Sequence, residues 1–265
     1  KDLKGAKMMR ILKQAEITRT KLGDSGQTFL VKYKDKKFIL RRCNNKKEAD
    51  FYISIYKKLK KYNLLPKVID RNKENILFEF IEGRNCRMND GKKVIYQIGK
   101  ICAYINKIGF RKFDINKKAF YNLRTLLDKR IINKEKFEEI KEFYNKLKRK
   151  IKPKVAIDPN DIYPENFRLR RGKVYFIDIE AIKPRLKGQG IAKAFIRWFK
   201  TSKQKEEFKR GYNSVSSIKF LTEDYLRFCY LNFLLQTIGI KLRKGREFNK
   251  EDLKTINLLL KDRLK

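Results

Sequence analysis

Asp161 and Asn166 stand five residues apart in the segment Val155-Ala156-Ile157-Asp158-Pro159-Asn160-Asp161-Ile162-Tyr163-Pro164-Glu165-Asn166-Phe167. Asp178 follows Asn166 by twelve, at the end of the apolar run Lys173-Val174-Tyr175-Phe176-Ile177. Carboxylate, amide and carboxylate are hard oxygen donors. They suit Mg²⁺, which binds through one or two protein oxygens together with waters and substrate phosphates. Phosphoryl transfer asks for this set of groups: one to orient an attacking hydroxyl, others to hold Mg²⁺ on the nucleotide phosphates. Taken alone, an Asp and an Asn at this spacing are common in loops, because both residues favour turns. Their weight depends on the elements around them.

The composition narrows the chemistry. The chain has 265 residues, no His, four Cys and 69 Lys+Arg against 30 Asp+Glu, a net charge of +39. Without His there is no His-based zinc site, no Ser-His-Asp triad and no Cys-His pair. Hydrophobic residues at 42% and aromatic residues at 12% supply a sizeable core, which excludes a disordered polybasic tail. Cys43, Cys86, Cys102 and Cys229 lie far apart, with neither zinc-ribbon spacing nor the density of a disulfide scaffold, so a reduced, cytoplasmic protein is expected. No run approaches the roughly 18 apolar residues of a membrane span, and residues 1–10 lack the apolar core of a signal peptide.

The front of the chain reads as β structure. Gln27 to Tyr33 and Lys37 to Arg41 are β-branched and aromatic runs around Lys34-Asp35-Lys36, a hairpin pattern. Gly23-Asp24-Ser25-Gly26 just before it is a turn of small residues whose backbone could approach a ligand. Asn44 to Lys61 reads as a helix with Phe51, Tyr52, Ile55 and Leu59 on one face, and Glu48 falls on that same buried side. Pro66 to Asp70 and Asn75 to Ile81 read as two further strands. From Val94 the period becomes helical, Lys154 to Asp178 interrupts with a β patch, and Gly190 to the end is helical again. Trp198 with Phe195 and Phe199 reads as helix core rather than a stacking platform.

On these residues the chain resembles the protein-kinase-like phosphotransferases, most closely the aminoglycoside phosphotransferase and choline kinase branch, over roughly residues 16–240. Pro159-Asn160-Asp161-Ile162-Tyr163-Pro164-Glu165-Asn166 and Ile177-Asp178-Ile179-Glu180 match the family's catalytic loop and the strand end that follows it. The resemblance implies an α+β, two-lobed fold: a small antiparallel β lobe over 1–83 that binds nucleotide, and a mainly helical lobe over 84–265 with the catalytic loop and acceptor site. It implies Asp161 as catalytic base and Asn166 and Asp178 as Mg²⁺ ligands, with ATP or GTP as co-substrate. It places Gly23 and Gly26 at the phosphates, Arg41 where the family's phosphate-binding Lys usually sits, Glu48 as the partner of Arg41, and Glu79 and Ile81 in the hinge that holds the base. Pro159 stands where the family has His, and the glycine segment is sparse.

Acceptor chemistry follows from charge. Between Ile182 and Arg210 the only acids are Glu206 and Glu207, against ten Lys and Arg that include Lys183, Arg185 and Lys187. Complementarity favours an anionic acceptor there, such as a sugar phosphate, a lipid or lipopolysaccharide core, or RNA, with Lys183, Arg185 and Lys187 as contacts. The charge is otherwise spread nearly evenly, +12 over residues 1–83 and +27 over the rest. Two further readings remain at this stage: an RNA-directed kinase, and a non-catalytic nucleic-acid-binding module on a degenerate kinase scaffold.

Overall fold

Residues 6–20, 27–87, 89–110 and 114–261 are described by a computed structural model of the chain. They form two compact units. One runs to Asp90 and takes back Pro164–Ile179; the other comprises Gly91–Tyr163 and the described residues from Glu180 onward. Asp161, Asn166 and Asp178 thus sit beside the points where the chain changes unit.

The first unit opens with α1 (Ala6–Lys13), followed by β1 (Glu16–Arg19), β2 (Thr28–Tyr33), β3 (Lys36–Arg42), α2 (Lys46–Leu59), a 3₁₀ turn at Lys60–Tyr62, β4 (Val68–Asn72), β5 (Asn75–Glu79) and the short β6 (Arg84–Asn85). Strands β1 to β5 make one antiparallel sheet in the order β1-β2-β3-β5-β4. Period-2 alternation sorts its side chains onto two faces. Val31, Leu40 and Leu77 pack with Met8 and Ile11 of α1, whereas Ile76 and Phe78 pack with Ala49 and Tyr52 of α2. The α2 helix starts where it does because the Asn45 side chain accepts from the Glu48 backbone N–H at 3.0 Å, capping an otherwise orphaned donor.

The second unit begins with α3 (Lys92–Asn106), α4 (Ile115–Asp128), α5 (Lys134–Ile151) and β7 (Val155–Pro159). The chain then re-enters the first unit as the hairpin β8 (Phe167–Arg170) and β9 (Lys173–Phe176), which pairs with β6. It returns as β10 (Ile182–Leu186), α6 (Gln189–Arg197), α7 (Ser202–Asn213), α8 (Glu223–Arg243) and α9 (Lys250–Leu260). Strand β10 lies outside the anticipated β patch and pairs antiparallel with β7. Helix α8 is the axis of this unit. Phe228, Cys229, Leu231 and Ile238 on it are fully buried against Leu123 and Leu126 of α4, Tyr144 of α5 and Ile256 of α9. Burying each such large side chain contributes about 1.5–3 kcal/mol. Phe195, Trp198 and Phe199 are core residues. No helix among the described residues is long and apolar enough to cross a membrane. All four cysteines are free and buried.

Candidate active site

Arg41 owes its position to strand alternation. Ile39 and Cys43 belong to the α2-side core, so Arg41 between them points to the same side and is 6% exposed. Its Nη1 donates to Thr28 Oγ1 at 2.9 Å, across the β2–β3 register. Burial pulls the guanidinium below its ordinary pKa, and the nearby Tyr52, Cys43, Glu48 and Asp178 act against that shift. Glu48 and Asp178 therefore both lie within electrostatic reach of Arg41. Glu48 in turn accepts from the Asn44 backbone N–H at 2.7 Å, the Asn44 side-chain amide at 2.8 Å and the Tyr52 hydroxyl at 2.8 Å. Burial and then that bond to Glu48 raise the Tyr52 pKa, so Tyr52 stays a neutral donor.

Asn166 and Asp178 are neighbours because of the β8–β9 hairpin. Phe167 pairs with Phe176 in register, and on the next rung the Ile177 N–H donates to the Asn166 carbonyl at 2.9 Å. Antiparallel pairing thus converts twelve residues of separation into adjacency. Ile179, at the edge of the α2-side core, ties the Asp178 segment to the sheet. One amide oxygen and one carboxylate make too small a set for an all-protein cage, and no cluster of three or more acidic, Cys or His ligands occurs among the described residues. Such a pair does fit Mg²⁺ that arrives on nucleotide phosphates and completes its shell with them and with water.

Glu79 closes β5, where its N–H donates to the Lys67 carbonyl at 2.9 Å and its Oε1 accepts from the Lys67 N–H at 3.0 Å. Ile81 is buried, and Arg168 of β8 donates to its carbonyl at 3.1 Å and to that of Gly83 at 3.2 Å while its guanidinium covers the Phe80 ring. Gly83 has φ +129°, and a Cβ there would meet the Leu169 carbonyl oxygen at 2.3 Å, so the chain leaving this segment needs glycine. Gly23 and Gly26 lie outside the described residues.

Asp161 is positioned by the second unit. The Asn160 N–H donates to the Ala181 carbonyl at 3.0 Å and Ile162 is fully buried, which pins the loop on either side of the half-buried Asp161. The Lys193 ammonium of α6 contacts Asp161 Oδ1. Under the loop lies a carboxylate that sequence reasoning left without a role. Asp158 is 0% exposed and accepts from Asn106 Nδ2 at 3.0 Å, Gly188 N at 2.8 Å and Gly190 N at 2.9 Å. Desolvation raises its pKa above the usual carboxylate range, and those three donors partly offset the shift. A Cβ at Gly190 would sit 2.3 Å from the Pro159 carbonyl oxygen. The start of α6 therefore reaches the end of β7 only because residue 190 has no side chain.

Lys183, Arg185 and Lys187 alternate along and just past β10, so they share one face. Lys183 is exposed. Arg185 Nη1 donates to Gln236 Oε1 at 2.9 Å, while its Nε is buried without a hydrogen-bond partner among the described residues. The Lys187 ammonium lies over the Phe220 ring at 4.6 Å. Burial, followed by the charges of Arg185 and Lys183, lowers the Lys118 pKa and so places this α4 lysine in the same cationic group. Nothing local in the sequence marks Lys118, which joins β10 only through the packing of the helices.

No family model matches the sequence, and no curated protein sequence matches it. Solved structures do. The chain is similar to the choline kinase LicA from Streptococcus pneumoniae, with a TM-score of 0.70 at 17% identity over 97% of this chain and 96% of that one. It is similar to an ethanolamine kinase from Plasmodium vivax, with a TM-score of 0.71 at 14% identity over 98% and 87%. A spectinomycin phosphotransferase in an AMP-bound complex gives a TM-score of 0.67 at 14% identity over 98% and 95%. At such identities the likeness establishes the fold, which is the protein-kinase-like fold found in the choline kinase and aminoglycoside phosphotransferase branch.

Proposed function

We propose that this chain is an Mg²⁺-dependent phosphotransferase that moves the γ-phosphoryl group of ATP or GTP onto a hydroxyl of an anionic or sugar-type acceptor. The observation that carries the reading is the grouping, within one unit, of Arg41 with Glu48 and Asp178, with the Asn166 carbonyl bonded to the N–H of Ile177 next to Asp178. Phosphoryl transfer needs a cation on the phosphates, a positioned carboxylate and amide for the metal, and little other protein chemistry. Structures of similar fold include complexes with AMP, and with ADP and spectinomycin, which supports a nucleotide co-substrate and a small acceptor.

In this reading Asp161 accepts the proton of the acceptor hydroxyl as its oxygen bonds to the γ-phosphorus and the bond to the β-phosphate oxygen breaks, releasing the nucleoside diphosphate. Asn166 and Asp178 would hold Mg²⁺, which would supply charge neutralisation for the phosphate oxygens. Arg41, hydrogen-bonded to Thr28 and within electrostatic reach of Glu48, contacts the phosphates; its planar fork gives directed contacts where a lysine gives a point charge. Lys183, Arg185 and Lys187 contact the acceptor's anionic group. The test is nucleoside diphosphate release by the full chain with Mg-ATP or Mg-GTP against a panel of sugar phosphates, lipopolysaccharide core fragments and RNA. Release that depends on one of these acceptors and vanishes in Asp161→Asn supports the reading. Absence of both nucleotide binding and release overturns it.

A further inference from the structure

Lys193 is the side chain in contact with Asp161, and its surroundings are those of a ligand cation. Its ammonium lies 5.4 Å from the centroid of the Tyr163 ring and 5.4 Å from that of Phe233, with the Asp161 carboxylate against it. The Lys193 side chain is only 18% exposed. Two aromatic faces and a carboxylate around one position compose a site for an organic ammonium ion. The chain fills that site with its own lysine.

Local geometry explains how. Gln189, Lys193 and Arg197 recur at four-residue steps on α6, so they form one row that meets Phe233 and Gln236 of α8. Gln189 Nε2 donates to Gln236 Oε1 at 3.3 Å, and the Arg197 guanidinium lies 5.8 Å from the Phe233 ring while bonded to Asp252 at 2.6 Å. The same Gln236 oxygen accepts from Arg185, whose Nε is buried without a partner among the described residues. On either side of Lys193 the row is thus tied to its own partners, Gln189 to Gln236 and Arg197 to Asp252. The buried Asp158 is the acid whose charge acts on Arg185, opposing the desolvation that lowers its pKa.

We propose that Lys193 determines acceptor charge: its ammonium occupies the cation position beside Asp161, so the reacting hydroxyl must come from a molecule with no positive charge near it. This rests on the phosphotransferase reading for its meaning in catalysis, whereas occupancy of the cation position is measurable by binding alone. A cationic acceptor is opposed by like charge and by filled volume, whereas an acceptor with a phosphate or carboxylate near its hydroxyl meets the Lys193 ammonium.

The experiment compares the full-length wild type with Lys193→Ala, Lys193→Met and Lys193→Arg, using tetramethylammonium and choline as probes by calorimetry. Mg-ATP titration and a thermal melt run in parallel. Removing the lysine is expected to strengthen binding of both probes at least tenfold in Lys193→Ala, less in Lys193→Met, whose side chain refills the volume, and not at all in Lys193→Arg. Equal probe binding in wild type and Lys193→Ala, with both folded, overturns the proposal, as does tight choline binding by the wild type. Loss of Mg-ATP binding in the wild type counts against the phosphotransferase reading and leaves the probe comparison able to decide the role of Lys193.

Discussion

The side-chain amide of Asn106, the last residue of α3, donates to the buried carboxylate of Asp158 at 3.0 Å, 52 residues further along the chain. The Tyr212 hydroxyl donates to the Asn106 oxygen at 3.1 Å, and Asp158 also accepts from the backbone at the start of α6. One buried carboxylate therefore joins α3, β7 and α6 directly beneath the loop that carries Asp161, with α7 attached through Tyr212. Asp158→Ala leaves three donors unsatisfied and is expected to cost on the order of 3 kcal/mol or more, read as a lowered urea midpoint.

The same group sets a pH dependence. Burial raises the Asp158 pKa in the folded state, so the folded protein holds this proton more tightly than the unfolded chain does. The stabilising contribution is complete below the unfolded carboxylate value of about 3.9 and is lost as pH rises through the elevated folded value. Relative to wild type, Asp158→Asn should therefore gain stability between pH 4 and pH 8 in parallel urea unfolding series. A constant difference across that range would show that Asp158 does not titrate with folding.

Asp161→Asn and Asp178→Ala should separate two roles. If Asp161 is the base, as proposed, Asp161→Asn is expected to lower kcat by about 10²–10⁴-fold with Mg-nucleotide affinity nearly unchanged. Loss of the strand-end carboxylate should weaken Mg-nucleotide binding itself in calorimetric titration. Unchanged affinity in Asp178→Ala would give Asp178 another task.

Arg41 and Glu48 should behave as one unit. Each alanine variant is expected to lower kcat/KM by about tenfold or more, and the double variant should be little worse than the more impaired single one, because neighbours that share a role are non-additive. Additive losses in the cycle would separate them.

Replacing Lys183, Arg185 and Lys187 together by Ala should raise the acceptor KM and flatten its salt dependence while nucleotide affinity holds. An RNA acceptor would show a log–log salt slope of about −0.7 to −0.9 per phosphate neutralised, and a sugar phosphate a shallow one. Salt-insensitive turnover of a neutral acceptor would return the charge to composition.

The thiols should be inert in the folded protein. Burial raises the Cys43 pKa to about 11 and that of Cys86 to about 12, and complete burial also raises Cys102 and Cys229 well above the ordinary thiol value. At pH 8 a disulfide reagent should label none of the four natively and all four after unfolding. Rapid labelling of Cys43 in the native state would show local opening at the end of β3.

The local part of this protein was legible from residue order. The hairpin around Lys34 and Asp35, the helix beginning near Asn45 with Glu48 on its inner turn, and the placement of Asp178 after an apolar strand follow from period, turn chemistry and capping, which act over a few residues. Arg41 was singled out only through the family resemblance; that it is buried on the α2 side came from the packing of Ile39 and Cys43 in the structure. Strand β10 was not legible, because Ile182–Leu186 has mixed polarity and becomes a strand by pairing with β7, more than twenty residues earlier.

What residue order determined, then, is which groups are available: oxygen ligands, an arginine in a strand pattern, an excess of cations and no histidine. Tertiary structure decided which of them meet. Lys193 reaches Asp161 across 32 residues, Asn106 reaches Asp158 across 52, and Lys118 shares the electrostatic surroundings of Arg185 only because α4 packs on α8. Such contacts leave no periodic trace in the chain. They depend on how whole helices pack, a balance of buried area against chain entropy that no short window of sequence contains.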